Sequence, residues 1–115
     1  MNLATRVTQR DGCVLVAVDG ELDLSTADQL QDTLGAAMAE GSGPIVLDLG
    51  ALRFCDSAGL AVMVKTHNLL AAEGRRLVIA SPSAAVARVL ELSGLDQVIA
   101  TATTSEDACA IASQP

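Results

Sequence analysis

The chain has 115 residues, enough for one domain around one core and too few for two ordinary domains. Half of the residues are apolar and 18% are charged, which excludes the composition of a disordered chain. A formal net charge of −7 excludes binding to a phosphate backbone, which needs clustered Lys and Arg, and the sole aromatic, Phe54, leaves no platform for base stacking.

The run LATRVTQRDGCVLVAV holds two extended segments separated by Asp11-Gly12, a strong signal for a two-residue turn, so the chain is expected to open with an antiparallel hairpin. After DGELDL, Ser25 or Thr26 can cap a helix. Ala27, Leu30, Leu34, Ala37 and Met38 recur at helical spacing until EGSGP, which predicts a first helix over roughly 26–40. PIVLDL reads as a strand buried on both faces of a parallel sheet. From Ser57, the residues Leu60, Met63, Val64, Leu70 and Ala71 form a helical stripe closed by Gly74. RLVIA is a further buried strand, and Ser81-Pro82 offers a cap followed by proline at the first helical position. That third helix is expected to stop at Gly94-Leu95. A weak strand, Val98 to Thr101, then precedes a short helix started by Thr104 or Ser105, with Glu106 and Asp107 in its first turn.

The order β-β-α-β-α-β-α-β-α predicts an α/β fold: a mixed, mostly parallel sheet of four to five strands, opened by a hairpin and continued by right-handed crossovers with about four helices. In such a sheet GELDLST, GALRFCDS and SPS are expected to converge as loops at the carboxyl ends of the strands, where open α/β sheets carry their sites. The longest apolar stretches, CVLVAV and GLAVMV, reach about a third of the 18 or more residues of a membrane helix, so a cytoplasmic protein without membrane insertion is expected. Cys13, Cys55 and Cys109 are odd in number, far apart and never in a C-x-x-C pair. Neither a disulfide nor a zinc site is therefore expected, and each cysteine reads as a small buried hydrophobe.

FCDSAGL, residues 54–60, raises the question of what Ser57 does. A hydrolase elbow, G-x-S-x-G, would need glycine at position 55, where Cys55 stands. His67, the sole histidine, lies ten residues further along the same predicted helix, about 15 Å away at 1.5 Å per residue, too far to act as a base. His67 is assigned a structural role. Neither phosphate-binding glycine motif occurs, so the chain is not expected to be a kinase or NTPase. No catalytic residue, metal or cofactor is expected.

Two readings of Ser57 remain. It can cap the second helix, or it can sit at the first helical position beside a capping Asp56 and receive a phosphoryl group, which would meet open backbone N–H groups and the helix dipole there. Asp56 is adjacent, and the GELDLST loop is expected to bring Asp23 close. A phosphate of about −2 charge roughly 6 Å from one carboxylate carries a Coulomb energy of about 1 to 6 kcal/mol at effective dielectrics of 80 to 20. Repulsion of that size against an acidic group on a partner would switch binding off. Asp48 is expected to cap or pin a neighbouring loop, Asp23 to serve as a turn residue or a partner contact, and Phe54 to anchor its loop in the core.

GELDLSTADQL, IVLDLGALRFCDSAGLAVMV and ARVLELSGLDQVIATATTSEDA together resemble the anti-sigma factor antagonists, the small single-domain branch of the STAS fold, along nearly the whole chain. The resemblance implies one STAS domain over 1–115 that binds an anti-sigma factor, itself a serine kinase, and so frees a sigma factor. It further implies phosphorylation by that kinase and reversal by a phosphoserine phosphatase. Carried over by position, Ser57 is the phosphoacceptor, Asp56 precedes it, Gly59 and Leu60 form an exposed first turn that the partner covers, and Asp23 is the acidic loop residue beside the site. Ala58 stands where many relatives have a second serine, which leaves one hydroxyl in the turn. The protein is expected to be a monomer or weak dimer. Rival readings are a STAS scaffold subunit of a signalling or lipid-transport assembly, with Ser57 not a switch, and a small-molecule sensor.

Overall fold

A computed structural model of the chain describes residues 2–10 and 12–114. Strands β1 (Leu3–Arg10) and β2 (Cys13–Leu22) pair antiparallel, with Arg10 opposite Cys13. Gly12 takes φ +87°, the left-handed geometry that such a turn demands. Asp11, the other residue of the predicted turn, lies outside the described residues. Strands β3 (Ile45–Cys55), β4 (Leu77–Ala80) and β5 (Ala100–Ala102) then add in parallel, giving one sheet in the order β1-β2-β3-β4-β5. The helices α1 (Ala27–Ala39), α2 (Ser57–Ala72), α3 (Ala84–Ser93) and α4 (Ser105–Ala112) alternate with these strands as predicted.

The alternation of side chains along each strand divides the core into two layers. Val14, Val16, Val18, Leu22, Ile45, Leu47, Leu49, Leu77 and Ile79 point into one layer. There they meet Leu30 and Leu34 of α1, Met63 and Leu70 of α2, and Val86 and Leu90 of α3. On the other face Leu15, Val46, Val78 and Ala80 are covered by Ala108 and Ala112 of α4. Because β3 and β4 are central, their first residues are buried on both faces, and this is why PIVL and LVIA read as unbroken apolar runs.

Several local expectations are corrected. Strand β3 does not stop at Leu49 but runs on to Cys55, so GALRFC is strand and not loop. Its register with β2 slips twice: Ala17 faces Asp48 but Asp19 faces Ala51, and Gly20 faces Leu52 but Glu21 faces Phe54. Each slip adds one residue to β3, which flips the alternation and kinks the strand. The two slips cancel in parity, so Phe54 lies on the side of the strand opposite Leu52 and Cys55; it is 45% exposed and does not anchor the core. Asp48 pins the first slip within its own strand, its Oδ1 accepting the Gly50 amide at 2.9 Å, and not a neighbouring loop as expected.

In α2 the buried side is Gly59, Val62, Met63, Thr66 and Leu70. The predicted stripe is thus rotated, with Val64 and Ala71 outside. Helix α3 is capped by Ser83, whose Oγ accepts from Val86 N, and not by Ser81-Pro82. Gly94 is left-handed at φ +78° and ends α3 as predicted; a 3-10 turn, Leu95–Gln97, then delays β5 to Ala100. Thr104 caps α4 by accepting from Asp107 N at 3.1 Å.

Cys13, at the start of β2, and Cys109, in α4, are joined in a disulfide with their Cα atoms 5.7 Å apart. This corrects the expectation of three separate thiols: the two cysteines are 96 residues apart, and only the return of α4 across the sheet brings them together. Cys55 is free and buried, as expected.

Candidate functional site

Strands β2 and β3 end level with each other. Leu22 faces Cys55, and the Asp56 amide donates to the Leu22 carbonyl at 3.1 Å, so Asp23 and Asp56 leave the sheet from neighbouring strand ends. Strand β4 reaches only as far as Asp48 of β3, so beyond that point, among the described residues, β2 is the one strand beside β3. The SPS segment stands against this open side, where Ser83 Oγ donates to the Leu52 carbonyl at 2.9 Å.

Asp56 caps α2. Its Oδ1 accepts from Ala58 N at 2.9 Å and Gly59 N at 3.2 Å, while its carbonyl receives the Leu60 amide at 3.1 Å. Ser57 is the first helical residue and is exposed, and among the described residues no group is hydrogen-bonded to its hydroxyl. The expectation of open first-turn amides is corrected: two of them are already taken by the Asp56 carboxylate. A phosphate on Ser57 would therefore stand beside the Asp56 carboxylate.

Gly59 is not exposed. A Cβ there would lie 2.6 Å from Leu22 Cγ and 2.8 Å from Cys55 Sγ, so this glycine lets α2 settle onto the ends of β2 and β3. Leu60 is half-buried and packs against the core. The outward side of the helix carries Ser57, Ala61, Val64 and Asn68. His67 is half-buried on the same helix, ten residues from Ser57.

The Asp23–Thr26 loop is tied down by its own side chains. Asp23 Oδ1 accepts from Ser25 N at 2.8 Å and Ser25 Oγ at 2.6 Å. Thr26 Oγ1 accepts from Asp23 N at 3.0 Å and donates to the Glu21 carbonyl at 2.9 Å. The Ser25 hydroxyl holds the Asp23 carboxyl below the usual carboxylate range, so Asp23 stays ionised. Leu24, at the tip of this rigid loop, is 82% exposed. Leu24 and Phe54 are apolar residues of the site that the sequence reading did not place on the surface. For Leu24 a signal existed, a leucine inside the turn sequence DLST; for Phe54 none did, because its exposure depends on which distant elements cover that end of β3.

The site thus combines an exposed hydroxyl, two carboxylates and an apolar rim. Among the described residues no group of three His, Cys, Asp and Glu could hold a metal ion, and no helix is long and apolar enough to cross a membrane. Such a surface suits recognition by another macromolecule.

The STAS domain family matches this chain over residues 4–108. The anti-sigma-F factor antagonist RsfB of Mycobacterium tuberculosis is 29% identical over 107 residues, covering 93% of this chain and 87% of RsfB. Among solved structures, an anti-sigma factor antagonist from Mycobacterium paratuberculosis superimposes with a TM-score of 0.88 at 31% identity, covering 98% of this chain and 96% of that one. The Bacillus cell fate determinant SpoIIAA, in its phosphorylated form, superimposes with a TM-score of 0.70 at 25% identity, covering 94% and 98%. The chain belongs to the STAS domain family, in the branch that the anti-sigma factor antagonists occupy.

Proposed function

We propose that this chain is an anti-sigma factor antagonist: its Ser57 face binds an anti-sigma factor of the serine-kinase type inside the cell and so releases a sigma factor. Phosphorylation of Ser57 by that kinase ends the binding, and a phosphoserine phosphatase restores it. The observation that carries the reading is the division of labour between two neighbours. Asp56 does the capping, so the Ser57 hydroxyl is exposed and free of structural duty. A phosphorylated SpoIIAA among its structural neighbours supports the same reading.

The switch in this reading is local. A phosphoserine brings about two negative charges next to Asp56, on the strand end beside Asp23, and the first-turn amides cannot absorb them. Leu24 and Phe54 offer apolar contacts, Asp23 and Asp56 set the charge, and Gly59 and Leu60 support the turn from below. The protein acts by binding and carries out no reaction of its own.

Incubation with the cognate anti-sigma factor and ATP tests this directly. The wild type gains one phosphate and Ser57→Ala gains none; an equal gain by the variant would remove Ser57 from the mechanism. Calorimetry adds the second arm, in which Ser57→Asp binds the anti-sigma factor more weakly. Unchanged affinity would point to the scaffold alternative.

A further inference from the structure

Cys13 and Cys109 lie across the sheet from α2, in the layer beneath α4, and take no part in the Ser57 site. Their surroundings differ. Cys13 is 5% exposed, whereas Cys109 is half-buried and lines an open concavity of about 430 Å3 together with Arg10, Ser105, Glu106, Ala110 and Ser113. Arg10 is paired with Cys13 across the hairpin, so its side chain rises on the face that carries the disulfide. It is the one cation among the described lining residues, partly offset by Glu106. Helix α4 rests on the sheet through Ala108 and Ala112, with Ile111 partly buried beside them, and Arg76 donates to the Ile111 carbonyl at 3.0 Å. The cross-link adds a covalent tie to this packing of α4 on the sheet.

We propose that Cys109 is a thiol-exchange site, at which small-molecule thiols and disulfides enter the concavity and open or close the bond to Cys13. In the opening direction a thiolate attacks Cys109 Sγ and forms a mixed disulfide there. Cys13 departs as a thiolate and takes up a proton. A second thiolate then attacks the sulfur of the bound small molecule. The products are its symmetric disulfide and a Cys109 thiolate, so two electrons pass to the protein. The reverse sequence uses a small-molecule disulfide as oxidant. Access selects Cys109 as the attacked sulfur, since Cys13 is covered by the sheet and helix. Cys55 stays out of the exchange: burial, and behind it the Asp56 charge, push its thiol up to about 11. Opening releases α4 and uncovers Leu15, Val46 and Val78, without touching the Ser57 face.

The test uses the full chain, and glutathione disulfide as the probe. Cys13→Ser should acquire one glutathione adduct, on Cys109, about tenfold or more faster than Cys109→Ser acquires one on Cys13. Equal rates, or faster modification of Cys13, would overturn the assignment. Adduct formation on Cys55 flags a variant that has lost its fold, and the wild type then decides. After brief exposure to reduced glutathione and acid quenching, the mixed disulfide maps to Cys109, and hydrogen exchange over 105–112 rises on full reduction. A mixed disulfide at Cys13, or no Cys13–Cys109 bond after the reduced protein is treated with glutathione disulfide, would refute the proposal. None of these readouts involves a protein partner, so their failure leaves the Ser57 reading untouched.

Discussion

The Oδ1 of Asp56 stands 2.9 Å from the amide of Ala58, and this contact, not one from Ser57, closes the open end of α2. Asp56→Ala should therefore cost about 0.5–2 kcal/mol, the usual range for a lost cap, while Ser57→Ala should stay within about 0.5 kcal/mol of wild type. Urea unfolding of the two variants checks this. Equal losses would make Ser57 part of the cap and weaken its assignment as a free acceptor.

Gly59 is a packing glycine. With Leu22 fully buried and the Cys55 sulfur on the other side, a methyl group has no room, and Gly59→Ala should destabilise by about 1–3 kcal/mol through overpacking. The measurement is again an unfolding midpoint. A neutral outcome would mean that α2 can lift from the strand ends without loss.

Leu24 and Phe54 expose apolar surface that does nothing for the fold. Leu24→Ala should leave stability within about 0.5 kcal/mol, whereas Phe54→Ala, at a side chain more than half covered, should cost roughly 1–2 kcal/mol. Either change should weaken binding to the cognate anti-sigma factor by about 1–2 kcal/mol, roughly fivefold to thirtyfold. Calorimetry on the two variants reads this, and full affinity in both would move the partner surface elsewhere.

Cys55 titrates from 9.0 in the ordinary thiol to about 11 in the folded chain, because burial and then the Asp56 charge disfavour its thiolate. Between these values the unfolded chain has lost a proton that the folded chain keeps. Stability is thus fully present below pH 9 and falls as pH rises to 11, by roughly 2–3 kcal/mol from this group. The check compares wild type with Cys55→Ala across that window; parallel pH profiles would contradict the shift. For the same reason iodoacetamide at pH 8 should leave native Cys55 unmodified.

The Cys13–Cys109 bond closes a loop spanning 96 residues. Its reduction should lower unfolding free energy by about 2–4 kcal/mol, and Cys109→Ser under non-reducing conditions should match the reduced wild type. Urea midpoints with and without a phosphine reductant provide the comparison. An unchanged midpoint would show that α4 holds its place without the cross-link.

Much of the architecture was written in short-range signals. Gly12 and Gly94 mark backbone that must turn left-handed, Thr104 with Asp107 marks a helix start, and the unbroken apolar runs at 45–47 and 77–80 mark strands covered on both sides. Each depends on a few neighbouring residues, so each survives in the sequence read alone. The Asp56-Ser57 pair was legible for the same reason, as two cap-type residues before an apolar helix. The rest depended on pairing between distant segments. Pairing with β2 placed the slips of β3, the seating of α2 on Leu22 buried Gly59, and the return of α4 to β2 joined Cys13 to Cys109. Periodicity along one segment cannot encode these outcomes, because each is fixed by where a partner 30 to 100 residues away comes to rest. The sequence alone determined the fold class and the start of α2 at the Asp56-Ser57 pair, and the tertiary structure decided what surrounds that pair and which cysteines meet, because those outcomes depend on contacts between distant segments.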